Sequence, residues 1–254
     1  MKQYNYSRIA KYYDIIELGG GEGPITSAFL DNIFRKNKIK TVLDMACGTG
    51  AQAIGLAEKG YHVTASDINR DMLGIAKKKA KSKKLDIKFC VGDIRTARLG
   101  KFDAVISMFN AIGHLSEKGF EKAIKNVSAN LKDGGLFIFD IFNIDFMKSG
   151  GFVRDRFIDV ATERKNLKFV RFNKNKMDLK SRILKINQDL YIQEGIRKPD
   201  IYKETWDMKV YSSDELKRIL NRNGFRVLNI CGLNGDKFVK NKTLNMVLIS
   251  KKRG

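Results

Sequence analysis

Four residue types are rare in this sequence: its 254 residues include two prolines, three cysteines, two histidines and one tryptophan. The cysteines, Cys47, Cys90 and Cys231, are odd in number and lack the spacing of metal ligands, which argues against a disulfide framework and a metal site. No apolar run approaches the roughly 20 residues that cross a bilayer, and no apolar core follows Met1 to form a signal peptide. We therefore expect a reduced, cytoplasmic protein without a membrane partner.

Acidic residues are also few, 28 against 49 lysines and arginines, which gives a formal net charge of +21. An excess of positive charge of this size is typical of proteins that bind nucleic acid. The cations are spread along the chain, however, and a lysine cluster over residues 77–84 falls at the end of a predicted helix, where it complements the helix dipole and faces water. No RNA-binding module accompanies it. We favour a solvated, lysine-rich surface and leave an RNA partner as the alternative.

What the chain does contain is a hydrophobic fraction of 43% and a length sufficient for one full core. Helix and strand patterns alternate up to residue 140, which predicts an α/β fold with a parallel sheet. The predicted strands cover residues 41–45, 62–66, 87–91, 104–108 and 136–139. The predicted helices between them cover residues 50–59, 70–82 and 118–131.

The pattern changes after residue 140. Apolar and polar residues alternate over residues 157–160, 167–172, 181–193 and 201–211, which is typical of antiparallel strands with one face in water. A helix over residues 214–223 and two strands over 225–231 and 243–250 then resume the first pattern. We therefore predict that residues 150–211 form an antiparallel β-insertion between the fifth and sixth strands of the sheet, within one domain.

The most informative motif joins the first strand to the first helix of this alternation. Val42, Leu43 and Met45 suit a buried strand, and Gly48 and Gly50 follow at once. Glycines remove the side chains that would keep a ligand from the backbone, so a small ligand is expected over this turn. The turn alone also satisfies the G-x-G-x-x-G/A pattern of dinucleotide-binding proteins, which leaves an NAD-dependent oxidoreductase open.

Acidic residues at the ends of three consecutive predicted strands favour another ligand. Asp44, Asp67 and Asp93 stand at these ends. An acid beside the glycine turn would repel a pyrophosphate but suits a sulfonium or an ammonium group. S-adenosylmethionine carries both groups and has no pyrophosphate. We therefore favour it over a dinucleotide.

The same blocks, over residues 42–50, 62–73, 92–94, 102–106 and 131–135, resemble those of class I S-adenosylmethionine-dependent methyltransferases in order and spacing. The segment 108–115 further resembles a block of amino-sugar N,N-dimethyltransferases and related small-molecule enzymes. The resemblance is strong over residues 8–140. It implies a doubly wound, mostly parallel, seven-stranded Rossmann-like sheet in a single domain of residues 1–254, with N-terminal lid helices over residues 1–35.

The resemblance also implies S-adenosyl-L-methionine as cofactor, S-adenosyl-L-homocysteine as product, and a set of cofactor-binding residues. Asp67 is expected to accept hydrogen bonds from the ribose hydroxyls or, alternatively, to cap a helix. Met72 would cover the adenine or belong to the core, Asp93 would receive the adenine amino group or cap a surface turn, and Arg8 would reach the cofactor carboxylate. Cys47 is interpreted as a small wall of the pocket. The full set is Arg8, Asp44, Ala46, Cys47, Gly48, Thr49, Gly50, Asp67, Ile68, Met72, Gly92, Asp93, Ile94, Met108 and Phe109.

The chemistry must then come from positioning, because the sulfonium methyl is already activated and needs only an aligned acceptor lone pair. His114 is the candidate general base for an amine acceptor, with a helix-start or core histidine as the alternative. Glu17 would neutralise an acceptor ammonium or face water. Tyr13, or its neighbour Tyr12, would pack against the cationic cofactor, or simply pack as part of an amphipathic helix.

These expectations together predict a methyltransferase that acts on a small-molecule acceptor, with an amine slightly favoured over a hydroxyl. An RNA-directed methyltransferase and a catalytically silent cofactor-binding protein are the alternatives, and the oxidoreductase is less favoured. A homodimer is left open.

Overall fold

The computed structural model describes residues 1–17, 22–150, 153–164 and 166–254, and the side chains of residues 22–25 are not part of this description. Part of the predicted lid segment 1–35, residues 18–21, lies outside the described residues. The helices are a first 3-10 helix (Tyr6–Tyr12), α1 (Tyr13–Glu17), α2 (Glu22–Lys36), α3 (Ala51–Ala57), α4 (Arg70–Ser82), a second 3-10 helix (Ala111–His114), α5 (Glu117–Asn130), α6 (Ile144–Lys148) and α7 (Ser213–Arg222). No helix among the described residues has the length and apolarity needed to cross a membrane.

The strands form two sheets. They are β1 (Thr41–Met45), β2 (His62–Asp67), β3 (Ile87–Val91), β4 (Phe102–Ser107), β5 (Leu131–Phe142), β6 (Phe157–Arg164), β7 (Leu167–Asp178), β8 (Ile183–Glu194), β9 (Asp200–Lys209), β10 (Phe225–Cys231) and β11 (Asn245–Lys252). Seven of them make one sheet in the order β10-β11-β5-β4-β1-β2-β3, in which β11 alone runs antiparallel to its neighbours. The predicted α/β class and the mostly parallel, seven-stranded sheet are confirmed.

The order of this sheet fixes where a ligand can bind. β1 pairs with β2 on one side and with β4 on the other, so the chain reverses its direction of winding at β1. Such a switch point leaves a crevice at the carboxyl ends of the strands. Asp44 lies near the end of β1, Asp67 ends β2 and Asp93 follows β3. The three predicted acids therefore share one edge of the sheet.

Both faces of the seven-stranded sheet are buried, as the near-continuous apolar runs of its strands require. Leu43 and Phe139 pack on one face, under α5 and α7, whereas Val42 and Ile138 pack on the other, under α2 and α3. Because neighbours along a strand point to opposite faces, one apolar run serves both cores. This rigid double layer holds the strand ends in place.

The second sheet is antiparallel, in the order β6-β7-β8-β9, and stands in the chain between β5 and β10. Its buried side chains alternate along β8, in agreement with the predicted pattern. Ile9, Tyr12 and Ile16 of the N-terminal segment cover one end of this face, and α6 covers the other. Treating residues 150–211 as an insertion within one domain stays a prediction.

Candidate active site

A cavity of about 610 Å³ opens at the carboxyl ends of β1, β2 and β4, between the seven-stranded sheet and the first residues of the chain. Fifteen of the eighteen site residues predicted from sequence line it: Tyr13, Asp44, Ala46, Cys47, Gly48, Thr49, Asp67, Ile68, Met72, Gly92, Asp93, Ile94, Met108, Phe109 and His114. Arg8, Glu17 and Gly50 do not. The roles of all eighteen residues stay predictions, and those of Arg8, Glu17 and Gly50 lack a position on the cavity wall.

The glycine turn adopts a tight left-handed conformation. Ala46, Gly48 and Gly50 have positive φ angles of 62°, 55° and 80°. The backbone nitrogen of Gly48 donates to Asp67 Oδ2 over 2.8 Å, which ties the turn to the end of β2. Gly50 lies behind the cavity wall, where an added Cβ would stand 3.0 Å from the Cβ of Ala76 on α4. Gly50 therefore packs against α4 and does not line the cavity, although the sequence analysis placed it among the cofactor-binding residues.

Asp44 and Asp67 give the cavity a buried acidic floor. The two residues are 2% and 8% exposed, and burial raises the pKa of both carboxyls. The pKa of Asp44 reaches about 7, because burial is reinforced by the negative charge of Asp67. Oδ2 of Asp44 is buried without a hydrogen-bond partner among the described residues. A buried carboxylate in this state is stabilised by a cationic ligand.

The third acid, Asp93, is already engaged. Arg95 donates to its Oδ1 from the backbone nitrogen over 2.8 Å and from Nε over 2.9 Å, and its Nη2 contacts Oδ2. This hydrogen-bonded pair lowers the pKa of Asp93 below its usual value. The predicted bond to an adenine amino group would have to share this carboxylate with Arg95, a cavity-lining residue that the sequence reading did not identify.

Cys47 also lines the cavity, and its thiol is not activated. Burial, followed by the charges of Asp44 and Asp67, raises its pKa well above the usual value. A thiol in this environment remains protonated and weakly nucleophilic. The sequence interpretation of Cys47 as a small wall of the pocket agrees with this environment.

An aromatic cluster also lines the cavity. The ring of Tyr6 lies at its centre, with centroid distances of 4.7 Å to Tyr4, 5.9 Å to Tyr13 and 5.6 Å to His114. Tyr12 points away from it, packs on Phe169 of β7 and donates to Glu194 over 3.0 Å. Of the two tyrosines proposed from sequence to face the cofactor, Tyr13 is therefore the one that lines the cavity.

His114 is held within this cluster. Its Nε2 lies 2.8 Å from the hydroxyl of Tyr6, and its Nδ1 is buried without a partner among the described residues. Burial lowers the pKa of His114 to about 4, so the imidazole is neutral near pH 7 and is a weak base. The residue lines the cavity as predicted, but its basicity is far below the unperturbed value on which the general-base role was argued.

Glu17 and Arg8 are committed to the second sheet. Nη1 and Nη2 of Arg171 on β7 contact the carboxylate of Glu17, and Nε of Arg171 donates to Asp159 over 2.6 Å. Arg8 donates to Glu204 of β9 over 2.7 Å. Neither side chain reaches the cavity wall, because each serves as an ion-pair partner between the N-terminal segment and the antiparallel sheet. The roles proposed for Glu17 and Arg8 at the ligand find no geometric support.

A strained turn follows β4 and carries two cavity residues. Phe109 and Asn110 have φ angles of 59° and 58°, a conformation that is uncommon for residues other than glycine. The backbone nitrogen of Asn110 donates to the carboxylate of Asp140, and its Oδ1 accepts from the nitrogen of Phe142. The turn is thus held by the end of β5. It directs Phe109 into the cavity and starts the 3-10 helix that carries His114.

Several cavity-lining residues were missed by sequence reasoning. They are Met1, Gln3, Tyr4, Tyr6, Ala51, Gln52, Asn69, Arg95, Ala111, Leu115 and Ser116. Asn69 had a detectable signal, since it stands two residues after the end of β2 and caps α4 by accepting from Asp71 and Met72. The N-terminal residues had none beyond their aromatic content, because their position depends on packing against a distant sheet.

The residues present fit S-adenosylmethionine. The unpartnered oxygen of Asp44 and the carboxylate of Asp67 suit a ligand with positive charge and hydroxyl groups. Met72, Met108 and Ile94 supply apolar surface for a flat ring. Acidic side chains beside apolar side chains suit a ligand that combines an adenosine with a positively charged sulfur.

Comparisons with known proteins agree with this fit. Residues 42–135 match the family model described as a methyltransferase domain. The chain is 33% identical over 139 residues to glycine N-methyltransferase of Rattus norvegicus, covering 49% of this chain and 47% of the relative. It is 32% identical over 142 residues to dTDP-3-amino-3,6-dideoxy-alpha-D-glucopyranose N,N-dimethyltransferase of Streptomyces fradiae, covering 54% of each.

The chain spans about half the length of the curated relatives it matches. The fold likeness is wider: a crystal structure of an S-adenosylmethionine-dependent methyltransferase from Clostridium acetobutylicum superposes with a TM-score of 0.83 at 22% identity, over 98% of this chain and 99% of the other. The shared fold therefore includes the antiparallel sheet. Residues 42–135 are therefore similar to a methyltransferase domain, and the chain as a whole shares the fold of this solved methyltransferase.

Proposed function

We propose that this protein transfers a methyl group from S-adenosylmethionine to an amine of a small molecule. The observation that carries the proposal is a single cavity lined by two chemically different groups of residues, called its acidic end and its aromatic end below. Asp44 and Asp67 form the acidic end, whereas Tyr6, Tyr13 and His114 form the aromatic end. A volume of about 610 Å³ lies within the range of small-molecule sites and supports a small acceptor beside the cofactor.

The acidic end would hold the cofactor. S-adenosylmethionine, when bound, supplies a methyl group on a positively charged sulfur. Asp67 would accept hydrogen bonds from the ribose, because each of its oxygens already accepts one backbone N–H and retains a second lone pair. Met72 would lie against the adenine, and Asp44 would face the positively charged part of the ligand. The set excludes water and fixes the direction of the methyl group.

The aromatic end would orient the acceptor. The hydroxyl of Tyr6 and the neutral imidazole of His114 offer hydrogen-bond partners to an amine and its neighbours. Because the pKa of His114 is about 4, it does not retain an ammonium proton at neutral pH. We therefore assign it a positioning role and expect the amine to enter unprotonated, having lost its proton to solvent. Nitrogen is favoured over oxygen because an amine is a nucleophile without a strong base.

The relatives support an amine acceptor. The names of the two sequence relatives specify N-methylation, of glycine in one and of an amino sugar in the other. Their similarity covers about half of the chain, so the acceptor itself is part of the proposal. A hydroxyl acceptor is the alternative outcome of the test below.

Thermal shift measurements test the donor. We expect S-adenosylmethionine and S-adenosylhomocysteine to raise the melting temperature, and NAD to leave it unchanged, because binding to the folded state alone is stabilising. Asp67→Ala should abolish the shift. Asp71→Ala removes the same charge from the exposed first turn of α4 and should keep the shift. Stabilisation by NAD alone would refute the assigned donor.

An acceptor screen tests the reaction. The protein is incubated with S-adenosylmethionine and pooled small amines, alcohols and RNA, and each pool is read by mass spectrometry for the gain of one methyl group. The proposal expects methylated amines. Methylated RNA or methylated alcohols without methylated amines would contradict it.

A further inference from the structure

Asp93 is paired with a cationic side chain, unlike the other two acids of the cavity among the described residues. The Nε and Nη2 atoms of Arg95 contact both of its carboxylate oxygens, whereas Asp44 keeps one oxygen without a partner and Asp67 accepts from backbone nitrogens. The positive charge of Arg95 offsets the negative charge of Asp93 at close range. A neutral, hydrogen-bonding group of a ligand therefore suits this position better than a positively charged one.

The carboxylate of Asp93 has about one acceptor position left for a ligand, since a carboxylate offers about four. The backbone nitrogen of Arg95 donates to Oδ1 over 2.8 Å, its Nε lies 2.9 and 3.0 Å from the two oxygens, and its Nη2 contacts Oδ2. Three N–H groups of one residue thus occupy most of the carboxylate. A ligand can bind to what remains through a single donor.

Backbone hydrogen bonds hold the main chain of Asp93 in place. Its carbonyl oxygen accepts from the nitrogens of Thr96 and Ala97 over 3.0 and 2.8 Å, in the turn that follows β3. Because Arg95 holds the carboxylate as well, the open acceptor position has one direction. The hydrogen bonds from the Arg95 side chain lower the pKa of Asp93, so the carboxyl stays ionised and acts only as an acceptor.

Arg95 is positioned in turn by the start of α5. Its Cδ lies 3.8 Å from the place that a Cβ on Gly119 would take, an ordinary van der Waals distance. Ser116, the N-cap of α5, accepts from the nitrogen of Gly119 over 3.1 Å and lines the cavity together with Arg95. The arginine therefore joins the turn after β3 to α5 and forms part of the cavity wall. A side chain held in this way has little freedom to lose when a ligand binds.

We infer that Arg95 is a positioning residue for the methyl donor, because it holds the carboxylate of Asp93 with one acceptor position left for the exocyclic amine of the adenine. The site then selects a base that carries this amine, since a purine without it would leave a partly buried acceptor unpaired. The inference rests on the proposed function, because it concerns the donor of the same site.

The test compares two ligands that differ only in this amine. They are S-adenosylhomocysteine and its 6-deaminated analogue, in which hydrogen replaces the amino group of the purine. Calorimetric titration of the complete chain gives the ratio of the two dissociation constants. We expect the natural chain to bind S-adenosylhomocysteine at least about tenfold more tightly, as for the loss of a hydrogen bond to a charged group.

Three variants assign this ratio to Arg95. Arg95→Met removes the donors, so the carboxylate can turn and bind water, and the ratio should narrow to about threefold or less. Arg95→Lys keeps the charge without the planar, forked donors and should narrow the ratio as well. Arg222→Met is the matched control: it breaks an exposed ion pair with Glu121 outside the cavity and should keep the ratio. Both ligands are measured on the same protein, so a loss of folded protein does not change the ratio.

The outcomes separate this inference from the proposed donor. If the natural chain binds both ligands equally, or if Arg95→Met keeps or widens the ratio, the inference is overturned while binding of S-adenosylhomocysteine leaves the donor intact. A natural ratio in Arg95→Lys would assign the effect to charge alone and would also overturn the positioning role. If the natural chain binds neither ligand, the proposed donor itself is refuted and the inference falls with it.

Discussion

The backbone nitrogen of Asn110 donates to both carboxylate oxygens of Asp140, over 3.1 and 3.0 Å, and so fastens the end of β4 to the end of β5. Asp140 is 1% exposed and Asn110 is 6% exposed. The bond holds two successive residues in the left-handed conformation, which costs on the order of 1 kcal/mol for each. Strain maintained at a cavity wall indicates that the position of Phe109 and His114 matters to the site.

The substitution Asp140→Asn tests this positioning. The amide keeps one acceptor oxygen but loses the negative charge that strengthens both contacts. We expect the free energy of unfolding to fall by about 1–2 kcal/mol and kcat to fall at least about tenfold, with the affinity for S-adenosylmethionine nearly unchanged. Urea unfolding, turnover and isothermal titration measure the three quantities.

Asp103→Asn is the matched control. Asp103 also accepts hydrogen bonds from backbone nitrogens, those of Lys40 and Thr41 over 3.0 and 2.8 Å. These bonds lie where β1 and β4 begin, at the far end of the strands from the cavity. Its replacement should lower stability by a similar amount and leave kcat unchanged. Equal losses of kcat in both variants would mean that Asp140 acts through stability alone.

The pH dependence of turnover follows from His114. Burial lowers its pKa to about 4, so it is neutral from pH 5 upward and does not titrate in the range of the assay. The rise of kcat/KM with pH should therefore follow deprotonation of the acceptor amine, with no inflection near 6.5. His114→Gln retains a partner for Tyr6 and should lower the rate at every pH without changing the shape of the profile.

His62→Gln is the control for this profile. His62 is the other histidine of the chain, begins β2 and is exposed. The substitution His62→Gln should leave both the rate and the shape of the pH profile unchanged. An inflection near 6.5 in the natural chain that disappears in His114→Gln would instead establish His114 as the general base, in the role first argued from sequence.

The stretch from residue 41 to residue 107 was the part most accessible from sequence, because local patterns determine it. β1, α4 and β3 have the predicted bounds, and the acids at their ends meet at one edge because parallel strands place their carboxyl ends together. The sequence pattern around Gly50 does not distinguish a glycine that packs against Ala76 from one that contacts a ligand.

The aromatic end was much less accessible. Tyr6 meets His114, and Glu17 meets Arg171, across 108 and 154 residues of sequence. Such pairings depend on how the N-terminal segment packs on the antiparallel sheet, which no local pattern specifies. Arg8 and Glu17 were therefore placed at the ligand from sequence, whereas the structure pairs them with the sheet.

Asp44 should make the stability of the protein without ligand decrease as the pH rises. Its carboxyl has a pKa of about 7 in the folded state against 3.8 ordinarily, because burial and then the charge of Asp67 disfavour the ionised form. Between these values the folded state binds more protons than the unfolded state, so this contribution is complete below about pH 4 and is lost by about pH 7. The loss is on the order of 4 kcal/mol.

Asp44→Asn removes this titration. We expect the stability of the variant relative to the natural chain to increase steadily between pH 5 and about pH 7 and then to level off, as measured by urea unfolding without cofactor. The same variant should bind S-adenosylmethionine more weakly. Asp103→Asn provides the contrast: burial acts to raise the pKa of Asp103, but bonds from Lys132 and the backbone hold it below its usual value, so its effect should be constant over this range. If the difference in unfolding free energy between Asp44→Asn and the natural chain is also constant over this range, Asp44 is not held protonated by burial.

A comparison of Gly50 with Gly60, which has a similar backbone angle, distinguishes the cost of backbone strain at the cofactor turn from the cost of a packing conflict. Gly50 and Gly60 have φ angles of 80° and 89°, but an added Cβ at Gly60 meets nothing within 4 Å, whereas at Gly50 it stands 3.0 Å from Ala76. Gly60→Ala should therefore cost about 1 kcal/mol through backbone strain alone.

Gly50→Ala adds a steric conflict to the same strain. α3 or α4 must shift by a few tenths of an ångström, and the shift passes to Gly48 and Asp67, which are joined by a 2.8 Å hydrogen bond. We expect a loss of about 2–3 kcal/mol in stability and at least a tenfold weaker affinity for S-adenosylmethionine, with the affinity of Gly60→Ala unchanged. Calorimetric titration of both variants measures the contrast. Equal affinities would show that the packing of α3 on α4 does not shape the cofactor site, and that Gly50 is required only for its backbone conformation.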